Sequence, residues 1–231
     1  MAGLLTAAPA FATAFSFACP PSCPDSDGAG RMLNSELLFD DATDAFAWTA
    51  RFEMNAGQLP DGLWIVVSDG PEPDATTDGL AILYGDGASG RVSAYVYDRD
   101  AGRNSFEDPA GFIETFASAL TFTDQSDRTR LLELALDATV INSFLSDPGW
   151  KGLRFAEMVG VWGHPTSGTE VDFDDTGRVL DYRHVGNTSY DRANRMSTVV
   201  PEPGTGLLVA LGVCAMAFEA RRPLRRPRRV M

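Results

Sequence analysis

Positive charge is scarce in this sequence, and what there is collects at one end. The chain of 231 residues has 19 Lys and Arg against 32 Asp and Glu. Arg221, Arg222, Arg225, Arg226, Arg228 and Arg229 crowd its C-terminus, so residues 1–199 hold 13 basic and 30 acidic residues, a net charge of −17. Phosphate binding needs a basic face, which excludes a nucleic-acid partner for this body. Carboxylates in such excess either hold cations or keep the protein in solution. Cysteine and histidine are equally thin. Cys19, Cys23 and Cys214, with His164 and His184, do not supply four zinc ligands at suitable spacing. No G-x-S-x-G occurs, so serine-hydrolase chemistry has no anchor. There is no internal repeat.

The most ordered pattern is at the C-terminus. Val200-Pro201-Glu202-Pro203-Gly204-Thr205 makes a polar turn, residues 207–218 are apolar, and the six arginines follow. An apolar run partitions into a bilayer, and arginines behind it stay on the cytoplasmic side. The run of about twelve residues reaches about 18 Å as a helix, short of the about 30 Å hydrocarbon core. Glu219 directly precedes the arginines. A short helix of this kind suits temporary retention better than permanent anchoring.

This tail resembles that of the PEP-CTERM proteins of bacteria, with V-P-E-P, small residues, a short hydrophobic helix and an arginine run. The resemblance covers residues 200–229. It implies that Pro201, Glu202 and Pro203 are read by an exosortase, a membrane-embedded cysteine-type processing enzyme that cuts close to Thr205. It also implies a cell-surface or extracellular destination, in a setting of exopolysaccharide or biofilm material. The plain alternative is a tail anchor that is never cut.

The other end agrees with export. Residues 2–18 are almost wholly apolar or small, and Ala10-Phe11-Ala12 and Ala12-Thr13-Ala14 both suit a signal-peptide cleavage site. No Lys or Arg precedes them, so the segment reads either as a truncated signal peptide or as a buried N-terminal segment. Cys19 and Cys23, just beyond, fit an oxidised pair in an exported protein. Lipid attachment at Cys19 is the alternative, after the poor lipobox Ser16-Phe17-Ala18.

Between the two ends the spacing predicts strands. Phe46, Trp48, Ala50, Phe52 and Met54 alternate with polar or small residues over 45–55, a period of two with one buried face. Residues 63–67, Leu-Trp-Ile-Val-Val, form a short continuous apolar run, expected as a strand covered on both faces. Strands are expected at 80–84 and at 91–98, the latter with Tyr95 and Tyr97 on one face. Residues 112–123 and 131–136 also read as strands, although 112–120 has helical spacing, and a short helix is expected within 138–145. A further strand is expected at 155–162, then a hairpin of 169–173 with 178–182 across Asp174-Asp175-Thr176-Gly177. The rhythm is that of a mainly β, antiparallel sandwich or barrel.

Residues 63–98, with the later Trp150-Lys151-Gly152 and Trp162-Gly163-His164-Pro165, resemble the concanavalin-like (laminin-G-like) sandwich ectodomains of some PEP-CTERM proteins. That resemblance implies a jelly-roll sandwich of a kind that often binds glycans. The expected organisation is a signal segment 1–18, a flexible lead-in 19–31, a sandwich 32–185, a linker 186–199 and the sorting segment 200–229.

Three constellations could carry chemistry. Along a strand Glu170, Asp172 and Asp174 face one way at about 6.6 Å steps. They resemble the E-x-D-x-E strand of family-16-type glucanases, which implies Glu170 as nucleophile and Asp174 as acid/base, with carboxyl groups about 5 to 5.5 Å apart. Asp174 has a shorter reach than the family's Glu, and an acidic exposed strand face explains the pattern as well. Calcium would find oxygens at Asp98, Asp100 and Asn104, or at Asp69, Asp74 and Asp78, but no EF-hand spacing is met. No other cofactor is expected. Trp48 and Trp64 fall on apolar faces and His164 is expected to pack beside Trp162. Trp150, beside Pro148-Gly149 and Lys151, is the one tryptophan placed for a ligand. The sequence thus points to a non-enzymatic surface or matrix protein. A glycan-cleaving hydrolase using Glu170, Asp172 and Asp174 is the competing reading.

Overall fold

The structure is a computed structural model that describes residues 13–18, 29–55, 57–68, 79–97, 102–154, 159–187 and 197–198. Cys19, Cys23, the loop carboxylates Asp69, Asp74, Asp78, Asp98 and Asp100, and everything from Val199 onward lie outside the described residues. The chain divides into one unit of Met1–Val199 and another of Val200–Met231, and every described residue belongs to the first. Among the described residues no helix is long and apolar enough to cross a membrane.

The protein is mainly β, with antiparallel sheets. In chain order the strands are β1 (Thr13–Ala18), β2 (Arg31–Asp40), β3 (Ala45–Glu53), β4 (Gly62–Ser68), β5 (Ala81–Asp86), β6 (Arg91–Val96), β7 (Phe112–Phe116), β8 (Leu120–Asp124) and β9 (Thr129–Asp137). After a single helical turn, α1 (Thr139–Asn142), come β10 (Gly160–Ser167), β11 (Glu170–Phe173), β12 (Val179–Arg183), β13 (Gly186–Asn187) and β14 (Ser197–Thr198). One six-stranded sheet has the order β14-β1-β2-β3-β9-β8, a second has β13-β10-β4-β5-β6-β7, and β11 with β12 forms a separate two-stranded ribbon.

The burial of each strand follows from its pattern. In β3 Phe46, Trp48, Ala50 and Phe52 are buried and the residues between them are not. They meet Leu63, Ile65, Val67, Ala81 and Leu83 of the second sheet in one continuous core. The unbroken apolar run of β4 is needed because both of its faces are covered. Its odd-numbered residues enter that core, while Trp64 and Val66 join a second cluster with Leu80, Ile82, Tyr84, Tyr95 and Tyr97 on the other side of the sheet. Tyr95 and Tyr97 share a face, as their spacing predicts.

Aspartate makes the turns. Asp86 accepts from the amides of Ala88 (3.0 Å) and Ser89 (3.1 Å), Asp127 from Thr129 (3.2 Å), Asp137 from Thr139 (2.9 Å) and Asp147 from Gly149 (2.8 Å). An aspartate that bonds the amide two residues on replaces a backbone partner and fixes the bend. Part of the acidic excess is therefore structural, a role beyond either cation binding or solubility.

Several expectations need correction. Met54 is 49% exposed, because β3 ends at Glu53 and the chain turns through the Asn55–Gln58 bridge. The strand expected at 155–162 instead starts at Gly160 and runs to Ser167, where pairing with β4 carries it on, and 155–158 lie outside the described residues. The strand expected over 112–123 divides into two, β7 paired with β6 and β8 paired with β9. The lead-in is not free of the fold: Ala29 is buried and β2 begins at Arg31. The linker also contributes structure, since Gly186 and Asn187 pair with β10 while Ser197 and Thr198 pair with β1. Thr13–Ala18, in the segment read either as a signal peptide or as a buried N-terminal segment, is a strand paired along its whole length with β2, which does not decide between the two readings.

Candidate functional site

The face of the second sheet turned away from the main core carries an aromatic layer, and the β11–β12 ribbon lies over part of it. Val171, Phe173, Val179 and Tyr182 of the ribbon pack on Tyr84, Tyr95 and their neighbours. Buried hydroxyls pin it there. The Tyr95 hydroxyl accepts from the Val179 amide at 2.7 Å, and Ser93 (3.0 Å) and Thr115 (2.6 Å) both donate to the Gly177 carbonyl. The Tyr182 hydroxyl meets that of Thr166 at 2.9 Å. Burial pushes the Tyr95 phenol up to about 12 and those of Tyr84 and Tyr182 higher still, so all three stay protonated.

Beside the ribbon the layer is partly open. His164 stacks on Trp64 with ring centres 3.6 Å apart, and Trp162 stands at right angles to Trp64 at 4.9 Å. Tyr97 meets Trp162 edge-on at 6.0 Å. Trp64 is 5% exposed, whereas Trp162 and His164 are half-buried. Burial, and then the nearby His184, lowers the His164 imidazole to about 3. A neutral ring on an indole stacks and does not shuttle protons near neutrality. His164 does pack beside Trp162, with ring centres 5.4 Å apart. Its stack on Trp64 needs the register that sets His164 opposite Trp64, which residue spacing does not carry.

The carboxylate strand is divided by its geometry. Glu170 and Asp172 are exposed and converge on one guanidinium, Arg183, at 3.5 Å and 3.1 Å, and Asp181 joins from β12 at 3.4 Å. Strand β11 ends at Phe173, and Asp174 already belongs to the turn. Asp174 accepts from the Thr176 amide (2.9 Å), the Thr176 hydroxyl (2.6 Å) and the Arg178 amide (3.0 Å), and its other oxygen meets Arg178 Nε at 3.1 Å. Those bonds, led by Thr176, hold its carboxyl below the ordinary range. A general acid needs the opposite shift. The three carboxylates therefore do not line one face as expected: two serve an exposed ion cluster and the third closes a turn.

Trp150 also departs from expectation. It is 7% exposed, its Nε1 donates to the Ile141 carbonyl at 2.8 Å, and it belongs to the main core. The pairing of residues 79–80 with 151–152 across the fold draws it inward, through bonds from the Lys151 and Gly152 amides to the Gly79 carbonyl. Trp48 and Trp64 are buried, as their apolar faces imply. Asn104 sits in a 3-10 segment, Gly102–Glu107, while its proposed calcium partners lie outside the described residues. Among the described residues no group of three His, Cys, Asp or Glu is placed to hold a metal ion. An open groove of about 630 Å³ on the first sheet, lined by Leu38, Phe46 and Ala47, has Asp40 and Asp137 as its carboxylates. Both are spent on turn amides, those of Ala42 and Thr139. Compared with known protein families, characterised proteins and solved structures, the chain finds no match.

Proposed function

We propose that this chain is an exported bacterial surface or extracellular-matrix protein of the PEP-CTERM kind. An exosortase-type enzyme would process it at Val200-Pro201-Glu202-Pro203, and its transient hold on the membrane comes from the apolar run and the arginines between Arg221 and Arg229. The observation that carries this reading is the order of the three tail elements. The division of the chain between Val199 and Val200 supports it, because a removable address should begin where the compact unit ends.

The body is read as a concanavalin-like antiparallel sandwich acting as a non-catalytic binding or structural module associated with exopolysaccharide. The core shared by residues of both sheets supports the sandwich. The half-buried rings of Trp162 and His164 support stacking on a neutral sugar ring, and the commitment of Asp174 to its turn favours a non-catalytic role.

The test is the intact mass of the protein from the surface and medium of its native cells. A C-terminus within a few residues of Pro203 is expected, and a mass that keeps residues 221–231 would overturn the sorting reading. Reducing-sugar release from β-glucan by the wild type, abolished in Glu170→Gln, would replace the binding module with a hydrolase.

A further inference from the structure

We propose that an open pocket beside Asp61 binds one uronic acid residue, a sugar ring that carries a carboxylate. The site shares no residue with the aromatic layer described above and does not rest on it. The pocket, about 260 Å³, lies where the turn before β4, the turn between β5 and β6, and strands β8 and β9 meet, and Asp61, Gly87, Ala88, Phe122, Arg130 and Thr169 line it. Drug-sized ligands need about 300 to 1,000 Å³, so this space suits a single ring. The grooves at Leu38 and at Phe116 have only carboxylates as charged lining, whereas here a cation faces the ligand space.

The walls are fixed by the fold itself. Arg130 Nε donates to Asp124 at 2.6 Å and Nη1 to the Pro60 carbonyl at 2.9 Å, and its side chain is only 21% exposed. Nη2 has no partner among the described residues, so with the second proton of Nη1 it keeps the end-on pair of donors that a carboxylate takes. Asp61 accepts from the amides of Thr169 and Gly168, both at 3.0 Å and one on each oxygen, which leaves each oxygen a lone pair for a sugar hydroxyl. Phe122 supplies an apolar floor. The Gly87 amide donates to the Asp61 carbonyl at 2.9 Å, and this brings the β5–β6 turn so close to the ring that a Cβ at Gly87 would lie 2.6 Å from it. A uronate answers all three groups: its carboxylate meets the guanidinium, its hydroxyls meet Asp61 and its C–H face meets Phe122. A neutral sugar leaves Arg130 unanswered, and a simple carboxylic acid leaves Asp61 and Phe122. The net charge of −17 over residues 1–199 repels anions in general, so an acid held here needs these specific contacts.

The experiment is a titration of the isotope-labelled full chain with sodium glucuronate, followed by backbone amide NMR, with glucose and sodium acetate as separate probes. Saturable shifts at the amides of Gly87, Ala88, Gly168 and Thr169 are expected with glucuronate, and glucose and acetate should each bind more weakly by about ten-fold or more. Arg130→Gln removes the fork and should weaken glucuronate by a similar factor while leaving glucose unchanged. Should that variant lose its fold with the Pro60 bond, Ala88→Glu decides: the Ala88 side chain is exposed, and a carboxylate there competes for Arg130 while the Ala88 amide keeps its bond to Asp86. Equal binding of glucose, equal binding of acetate, or undiminished glucuronate binding in Ala88→Glu each overturns the site. Shifts confined to Trp162 and His164 overturn it as well and leave the neutral-sugar reading standing, whereas saturable glucuronate binding at these amides in a protein that no neutral polysaccharide retains does the reverse.

Discussion

His164 lies flat on Trp64, 12° from parallel, directly across the β4–β10 ladder. The stack places a titratable ring where its charged form is disfavoured, which couples folding to protonation. The folded His164 holds its proton only near pH 3, against an ordinary value of 6.5. Between those values the unfolded chain binds the proton and the folded one does not, so stability rises with pH there and is lost as pH falls. The contribution is complete above about 6.5, and its slope is at most about 1.4 kcal/mol per pH unit.

The first prediction follows. Urea midpoints measured from pH 7 down to pH 4.5 should fall steadily in the wild type and much less in His164→Gln. The turn aspartates do not confuse this window. Asp127, Asp137 and Asp174 are each held below an ordinary 3.8, so what they contribute is present above that value and lost beneath it. Parallel pH profiles for wild type and variant would sink the coupling.

A second prediction concerns the pin between Tyr95 and Val179. Tyr95→Phe removes the hydroxyl that the Val179 amide reaches at 2.7 Å and leaves that donor buried without it. An orphaned buried donor costs about 1 to 3 kcal/mol. Tyr182→Phe should cost less, since Thr166 keeps Thr169 as a partner at 2.8 Å. Denaturant unfolding of the two variants side by side measures the order, and a larger loss in Tyr182→Phe would refute it.

Asp174 gives a third. If it closes the turn between β11 and β12, Asp174→Ala should speed amide exchange at Thr176 and Arg178, whose protons it accepts, and leave β3 protected. Unchanged exchange at those two amides would return Asp174 to the list of residues free for chemistry.

How far the sequence could be read depended on how local each feature is. The alternation of β3 and the double cover of β4 are written in neighbouring residues, and so is the hairpin across Asp174 to Gly177. What escaped is long-range. Strands β1 and β14 lie more than 180 residues apart in the chain and meet only as partners, and β1 is composed of the same small and apolar residues that a signal requires. The short pairs of β13 and β14 sit in polar sequence with no period to reveal them. At the candidate site the period of two holds through Phe173, where β11 ends, and the third carboxylate falls in the turn instead of on the strand face expected for it. The Trp64–His164 stack depends on the register between β4 and β10, which no local pattern encodes.

Trp150 offers the cleanest choice between a packing role and a ligand role. Its ring sits beside Phe144, centres 6.2 Å apart, and its Nε1 donates to the Ile141 carbonyl. If packing is the role, Trp150→Ala should cost about 3 to 5 kcal/mol, as large-to-small changes at buried aromatics do. Trp150→Phe should cost less, chiefly the orphaned carbonyl bond, about 1 kcal/mol. Trp162→Ala, at a half-buried ring, should instead weaken retention on a neutral polysaccharide column with a smaller loss of stability. If Trp150→Phe abolished retention at unchanged urea midpoint while Trp162→Ala did not, the ligand face would lie on the Trp150 side of the fold and the aromatic layer of the second sheet would be core alone.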